Sequence, residues 1–392
     1  MTEAMEYPQA RTCPYHPSPA YEPLREGPPL QRVTLYDGRQ SWVVTGHAEA
    51  RQLLADPRIS ADRRHEGFPF TSGRFKGFVD QEPSFIVQDD PEHNRIRRML
   101  ISEFTVRRFK ELRPRIERIV HDALDGLLAA GSPADLVKHF SLPVPSLVIC
   151  EMLGVPYENH DFFQEHSRKL IQGLSADEVR TARDALTDYL TELAEDPPPG
   201  MIARLKEDQV ATGRMTEAQL AANSMILLIA GHETTASMIS LAVITLLDNP
   251  EELAKLRSDP AAASGAVEEL LRFLSIVDAA PARVAVEDIE VGDVVVKAGD
   301  GVLIGSALAN RDPEVFPDPD RFDISRAARH HVAFGYGVHQ CLGQNLARME
   351  LELAVPALFE RIPTLRLDIP VAELTLRPAT TIQGVNSLPV AW

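Results

Sequence analysis

The stretch FGYGVHQCLG, residues 334–343, sets a single cysteine among three glycines just ahead of a helical pattern at 344–361. Gly335, Gly337 and Gly343 allow tight turns and let the backbone approach a flat group without Cβ clashes. Cys341 stands at the positive end of the following helix, a placement that lowers a thiol pKa and favours a metal-ligating thiolate. A buried free cysteine after a glycine-rich turn is the plain alternative. The spacing F-G-x-G-x-H-x-C-x-G, matched at every fixed position, speaks against it. His339 and Cys341 make no zinc site, because two further ligands are missing nearby.

Upstream, residues 216–247 form the longest helical pattern, with a Thr216-x-x-Gln219 cap and a stop at Asn249-Pro250. Some thirty residues would make a rod of roughly 45 Å. In its middle lies Ala230-Gly231-His232-Glu233-Thr234-Thr235, flanked by MILLIA and ASMISLAVITLL. Apolar flanks on all sides mark a buried helix, so Glu233 and Thr234 are hydrogen-bonded or functional. An acid followed by a hydroxyl can open the helix, hold water and deliver protons. His232 reads as packing.

Glu269-Leu-Leu-Arg272 puts an acid and a base on one helix face, and Pro319-Asp-Arg321-Phe322 follows. His93 and Arg97, at i and i+4, share a face and suit carboxylate capture, as does Arg283. From 95 to 118 the chain carries Arg97, Arg98, Arg107, Arg108, Lys110, Arg113 and Arg115 with few acids between them. That run reads as a solvated face or a dock for an acidic partner.

Taken in order, these motifs resemble the cytochromes P-450, particularly the actinomycete forms of secondary metabolism and xenobiotic oxidation. The likeness runs from about residue 13 to 392 and is densest at 88–104, 227–247 and 268–343. It implies a cytochrome P-450 fold, mainly α with a smaller β portion, with haem b between the long central helix and the cysteine loop. By resemblance Cys341 ligates the iron and Phe334, Gly335, His339 and Gly343 surround it. Ala230 and Gly231 border the haem from the helix. His93, Arg97, Arg283 and His339 meet its propionates. Thr234 is the oxygen-activating alcohol and Glu233 its acid, while Glu269, Arg272 and Arg321 form a buried structural network.

The activity implied is that of an oxygen-dependent monooxygenase. It takes two electrons from a ferredoxin and its reductase and hydroxylates or epoxidises a hydrophobic small molecule, such as a polyketide, terpenoid or steroid. Candidate substrate contacts are Phe68, Phe70, Phe75 and Phe78, then Val277 and Ala280, then Thr381 and Ile382. Arg98, Arg107, Arg108 and Lys110 are candidates for steering the ferredoxin. The likeness is weakest at 161–205, where AEDPPPGMIARL is shorter than the family's usual connection and lacks its paired aspartates. A peroxide-driven haem enzyme and a haem sensor without turnover are the competing readings, and neither explains the acid–alcohol pair.

Composition agrees with one globular unit over residues 1–392. It is 44% hydrophobic and 25% charged, and its three cysteines are far apart, which fits a reducing cytoplasm and no disulfide framework. A net charge of −17 argues against nucleic acid. No signal peptide is visible and no stretch reads as membrane-spanning. The expectation is a cytoplasmic monomer. The pattern also predicts a hairpin at 32–45, a short helix at 48–55, a long loop at 59–85, further helices up to 193 and hairpins around Gly292 and Gly299.

Overall fold

The computed structural model describes residues 4–79, 81–377 and 381–392, without the side chains of Gly77 and Phe78. The first half carries helices α1 (Glu22–Glu26), α2 (His47–Ala55), α3 (Glu92–Ile101), α4 (Val106–Ala130), α5 (Pro143–Leu153), α6 (His160–Gln172), α7 (Ala176–Glu195) and α8 (Met201–Leu205). The second half carries α9 (Glu217–Asp248), α10 (Pro250–Ser258), α11 (Ala263–Leu274), α12 (Ser306–Ala309) and α13 (Gln344–Arg361). The fold is mainly α with a smaller β portion, as read from the sequence.

Among the described residues ten short strands accompany the helices: β1 (Leu30–Thr34), β2 (Gln40–Val44), β3 (Ile59–Ser60), β4 (Ala134–Asp135), β5 (Ala282–Ala285), β6 (Ile289–Val291), β7 (Val294–Val296), β8 (Gly301–Ile304), β9 (Arg366–Leu367) and β10 (Pro389–Ala391). Five of them pair in the order β1-β2-β8-β5-β3. The β1–β2 hairpin turns at Gly38, whose φ of 80° suits glycine. β2 runs parallel to β8 with Trp42 opposite Val302, and β5 places Arg283 opposite the same valine. Asp300 anchors that corner: Arg32 Nη2 and Trp42 Nε1 both donate to it, at 2.8 and 2.9 Å.

The long helix forms as its sequence dictates. Thr216 accepts from the Gln219 backbone and Gln219 Oε1 accepts from the Thr216 N–H, a complete capping box. Its 32 residues span about 48 Å and pack against α5, α7, α11 and α13. One expectation needs correcting here. By length and mean hydropathy α9 is apolar enough to cross a membrane, but 78% of its apolar window is buried inside the protein. Its greasiness is that of a core helix. The continuous basic run is also split, since α3 ends at Ile101 and α4 begins at Val106 after Thr105 caps it.

Candidate active site

Every feature of the cysteine loop comes from backbone economy. Gly335 and Gly337 adopt φ of 68° and 73°, which L side chains rarely take. A Cβ on Gly337 would in addition run into the Leu54 carbonyl at the end of α2. At Gly335 and Gly343 a Cβ would meet nothing nearer than 4.0 Å, so the loop leaves open room on that side. The Cys341 N–H closes the loop on the Phe334 carbonyl at 2.9 Å, and α13 starts three residues later.

Cys341 is an exposed residue, yet protein surrounds its thiol deeply enough for burial to raise its pKa. The N–H of Gly343, the Arg97 and Arg348 guanidiniums and the N–H of Gln344 all act the other way. Burial outweighs them, contrary to the lowering expected from the helix end. A sulfur so placed keeps its negative charge when a bound cation matches it, which fits a metal ligand. Cys150, by contrast, is buried in the core with its pKa pushed up to about 12.

The four residues expected at the propionates do come together. The His93 and His339 rings lie 4.0 Å apart between centroids, and Arg97 Nη2 donates to the Gln340 carbonyl at 2.6 Å. Desolvation, then the charges of Arg283, His93 and Arg97, push the His339 pKa down to about 3. Burial also lowers that of His93. His339 is therefore neutral near pH 7, His93 Nδ1 lies 3.4 Å from Asp90 Oδ1, and the positive charge belongs to the arginines. Burial lowers the Arg283 pKa to about 10, and its Nη1 donates only to the Ala282 carbonyl. Among the described residues neither Arg97 nor Arg283 has an ion-pair partner, and His93 Nε2 is buried without one. Buried donors lacking acceptors fit a dianionic cofactor edge.

In the middle of α9 Ala230 is exposed and Gly231 and Thr234 are partly so, as are Met225 and Ile226 about a turn earlier. The helix runs through this point unopened, contrary to expectation, because Thr234 Oγ1 donates back to the Ala230 carbonyl at 2.7 Å. Gly231 has a packing reason of its own, since a Cβ would approach Ile149 of α5 to 2.7 Å. Glu233 is buried and points sideways, where Arg377 Nη1 reaches its Oε2 at 3.2 Å. His232 Nδ1 meets the Leu228 carbonyl at 2.7 Å, and its ring is fully buried, a packing residue as read.

The Glu269–Arg272 pair is fully buried and bidentate, at 2.7 and 2.8 Å. Arg272 Nη1 also donates to the Asn310 and Pro319 carbonyls, both at 2.9 Å. The third member is not Arg321. Its side chain is exposed, and Arg326 Nε reaches Glu269 Oε1 at 3.2 Å instead. The turn at Asp318, with φ of 49°, points Arg321 outward, and the chain returns five residues later. A second network stands beside it. Glu268 accepts from Arg348 Nε at 2.7 Å, and its other oxygen lies 3.1 Å from His331 Nε2. Arg348 also lies 4.6 Å from the Phe334 ring centre, tying the cysteine loop to α11.

Of the candidate substrate contacts, the structure joins Val277 to Ile382 as bridge partners, and the Asp278 N–H donates to the Thr381 carbonyl at 3.2 Å. Ala280 is nearby in sequence and half-buried. Phe68 and Phe70 are buried against each other at 4.9 Å, and Phe75 stacks near Arg74. The Phe78 side chain lies outside the described residues. The basic face is more neutral than its sequence implied. Arg107 and Arg108 pair with Glu111, Arg113 with Glu117 and Arg115 with Glu151. Arg98 and Lys110 have no ion pair among the described residues. No cluster of three or more metal-ligating His, Cys, Asp or Glu exists among them either. Sequence reasoning missed Arg377, Arg348, Glu268 and Arg326. Only Glu268, next to Glu269 in an apolar helix, left a signal.

Comparison with known proteins places this geometry. The cytochrome P450 family model, written cytochrome P-450 here, matches residues 160–265 and 263–363. The chain is 57% identical over 395 residues to cytochrome P-450 105A3 of Streptomyces carbophilus, covering 100% of this chain and 96% of that one. It is 55% identical over 396 residues to vitamin D3 dihydroxylase of Streptomyces griseolus, covering 100% and 98%. Among solved structures, the mycinamicin VIII C21 methyl hydroxylase of Micromonospora griseorubida, bound to mycinamicin VIII, superposes with a TM-score of 0.92 at 40% identity, covering 99% of this chain and 100% of that one. The chain belongs to the cytochrome P-450 family. It is a monooxygenase, an oxidoreductase whose cofactor is haem b.

Proposed function

We propose that this protein receives two electrons, one at a time, from a ferredoxin and its reductase, and hydroxylates or epoxidises a hydrophobic small molecule. Haem b, when bound, supplies the reductive activation of dioxygen, one oxygen atom going to substrate and the other to water. Cys341 holds the iron through sulfur, with the N–H groups of Gly343 and Gln344 steadying the thiolate. Arg97 and Arg283 neutralise the propionates, neutral His339 donates a hydrogen bond to them, and His93 packs against the His339 ring beside them. Phe334, Gly335 and Gly343 border the cofactor from the loop, and Ala230 and Gly231 from α9. The observation that carries this reading is the exposed Cys341 at the head of α13, with the Arg97 guanidinium acting on its thiol and making no ion pair among the described residues.

Thr234 gives its own hydrogen to the Ala230 carbonyl. Its oxygen lone pairs are thereby left to accept a proton-bearing group, and Glu233 is the neighbouring source of protons. Val277, Ala280, Thr381 and Ile382 form an apolar edge for the substrate, with the aromatic loop of Phe68, Phe70, Phe75 and Phe78 as a further wall. Relatives named for acting on vitamin D3 and on mycinamicin VIII support a large, ring-bearing, mostly apolar substrate. Arg98 and Lys110, with Arg107 and Arg108 beside them, steer an acidic ferredoxin by charge, mainly raising the on-rate. We place the protein in the cytoplasm as a single-domain monomer over residues 1–392.

The test is reconstitution of the haem-loaded protein with a ferredoxin, its reductase and NAD(P)H under labelled dioxygen, against a panel of terpenoids, steroids and macrolides. The expected result is product carrying one labelled oxygen atom, dependent on the ferredoxin. Turnover supported by hydrogen peroxide but not by the electron chain would contradict it.

A further inference from the structure

The acid of the α9 pair is not alone, and what holds it comes from the far end of the chain. Arg377 is buried, and its Nη1 donates to Glu233 Oε2 at 3.2 Å and to Ser237 Oγ at 3.0 Å. Its Nε is fixed on Asn386 Oδ1 at 3.2 Å. The backbone is fixed as well: Leu376 bridges Val385, and the Arg377 N–H donates to the Gly384 carbonyl at 2.8 Å. Gly384 lies directly on α9, where a Cβ would approach Ser237 Oγ to 2.7 Å. The glycine is what lets the segment sit close enough for Arg377 to reach the acid. One of these contacts reaches the carboxylate, and the others fix Arg377 in the place from which it does so.

Glu233 Oε1 faces a different group. The Leu228 carbonyl can only accept, so His232 Nδ1 carries the hydrogen and Nε2 bears a lone pair. That lone pair stands 3.7 Å from Oε1 and offers the carboxylate no donor. Arg377 is the one cation within ion-pair distance of Glu233 among the described residues. Without it the buried carboxylate would have no cation to hold its direction and would be free to turn away.

We propose that Arg377 is a positioning residue for proton delivery: it holds the Glu233 carboxylate oriented on the side of α9 next to Thr234. The proposal rests on the reading of Glu233 as the proton source. In the step it serves, a proton drawn from bulk solvent passes by way of the Glu233 carboxylate toward the Thr234 side, and the carboxylate ends the step as it began.

The experiment compares Glu233→Gln, Arg377→Gln, Arg377→Lys and the double variant as haem-loaded proteins with a ferredoxin, its reductase and NADPH, with and without vitamin D3 as probe. The readouts are the fraction of consumed NADPH recovered as hydrogen peroxide and the solvent isotope effect on oxygen consumption. Arg377→Gln is expected to raise the peroxide fraction several-fold and alter the isotope effect, with the reduced carbon monoxide spectrum retained. Lysine should restore part of the coupling. The double variant should be no worse than Glu233→Gln alone, since the two act as one unit. Should Arg377→Gln fail to fold, Gly384→Ala displaces the segment with every charge kept, and the same rise is expected. Full coupling in Arg377→Gln, or in Gly384→Ala where that stands in, or effects that simply add to those of Glu233→Gln, would overturn the proposal and leave the proton reading standing. An unchanged Glu233→Gln would instead remove the proton reading itself, and this proposal with it.

Discussion

Around Cys341 the constraint is the backbone, whereas around Glu233 it is one side chain arriving from 144 residues away. The cysteine loop needs glycine at 337 because of a positive φ and a carbonyl in the way. It is then locked from behind by two acids, Glu268 and Glu269, each gripping arginines from later segments. The Glu233 region has no such frame, only a helix whose packing is satisfied and a hairpin leaning on it. The first region is rigid by construction. The second is held by a few polar contacts, the arrangement expected where protons must move.

The largest test of that contrast is removal of the fully buried guanidinium. Arg272→Ala removes both bidentate bonds to the fully buried Glu269 and leaves it Arg326 as the cation at its edge, which costs about 3 kcal/mol. Chemical denaturation should report that loss, and the purified protein should retain less haem. A variant as stable as the parent would show that the loop is not held from behind.

Glu268→Gln sharpens the same point through pH. Hydrogen bonds from His331 and Arg348 oppose burial and hold this carboxyl at about 2, below its ordinary value of 4.5. A depressed carboxyl stabilises the fold above pH 4.5, and that stability is lost as pH falls toward 2. The shift corresponds to on the order of 3 kcal/mol. Glutamine should therefore lower stability near neutrality and flatten the acid limb of the stability profile. An unaltered acid limb would assign the acid sensitivity to other groups.

The smallest effects separate two neighbours in sequence. Arg326→Ala should cost about 1–2 kcal/mol through its bonds to Glu269 and the 317–321 carbonyls. Arg321→Ala, a change on an exposed side chain, should stay within about 0.5 kcal/mol. Thermal melts of the two variants decide between them, and the reverse order would restore Arg321 to the network.

Legibility in the sequence followed the same division. α9, its capping box and α13 were readable to within a residue, because capping and apolar patterning act locally. The cysteine loop was readable because a tight turn against a flat group restricts residue type at each position. Arg326 was mistaken for Arg321 since a turn at Asp318 decides which arginine returns to Glu269, and spacing alone does not carry that turn. Arg377 was invisible, lying in no motif and reaching α9 only through the hairpin fold. The thiol pKa was misjudged because a helix end is local, while burial belongs to the whole fold. The basic run looked stronger than it is, as acids sit one helical turn away from Arg107, Arg108 and Arg113.

The central claim, that Cys341 is the thiolate ligand of the haem iron, is tested most directly by the absorption spectrum of the reduced protein with carbon monoxide, for the parent and for Cys341→Ser. The parent should show a strongly red-shifted Soret band, and the variant should lose it. A band at the position of a histidine-ligated haem in freshly prepared parent, or an unchanged red-shifted band in Cys341→Ser, would contradict the assignment.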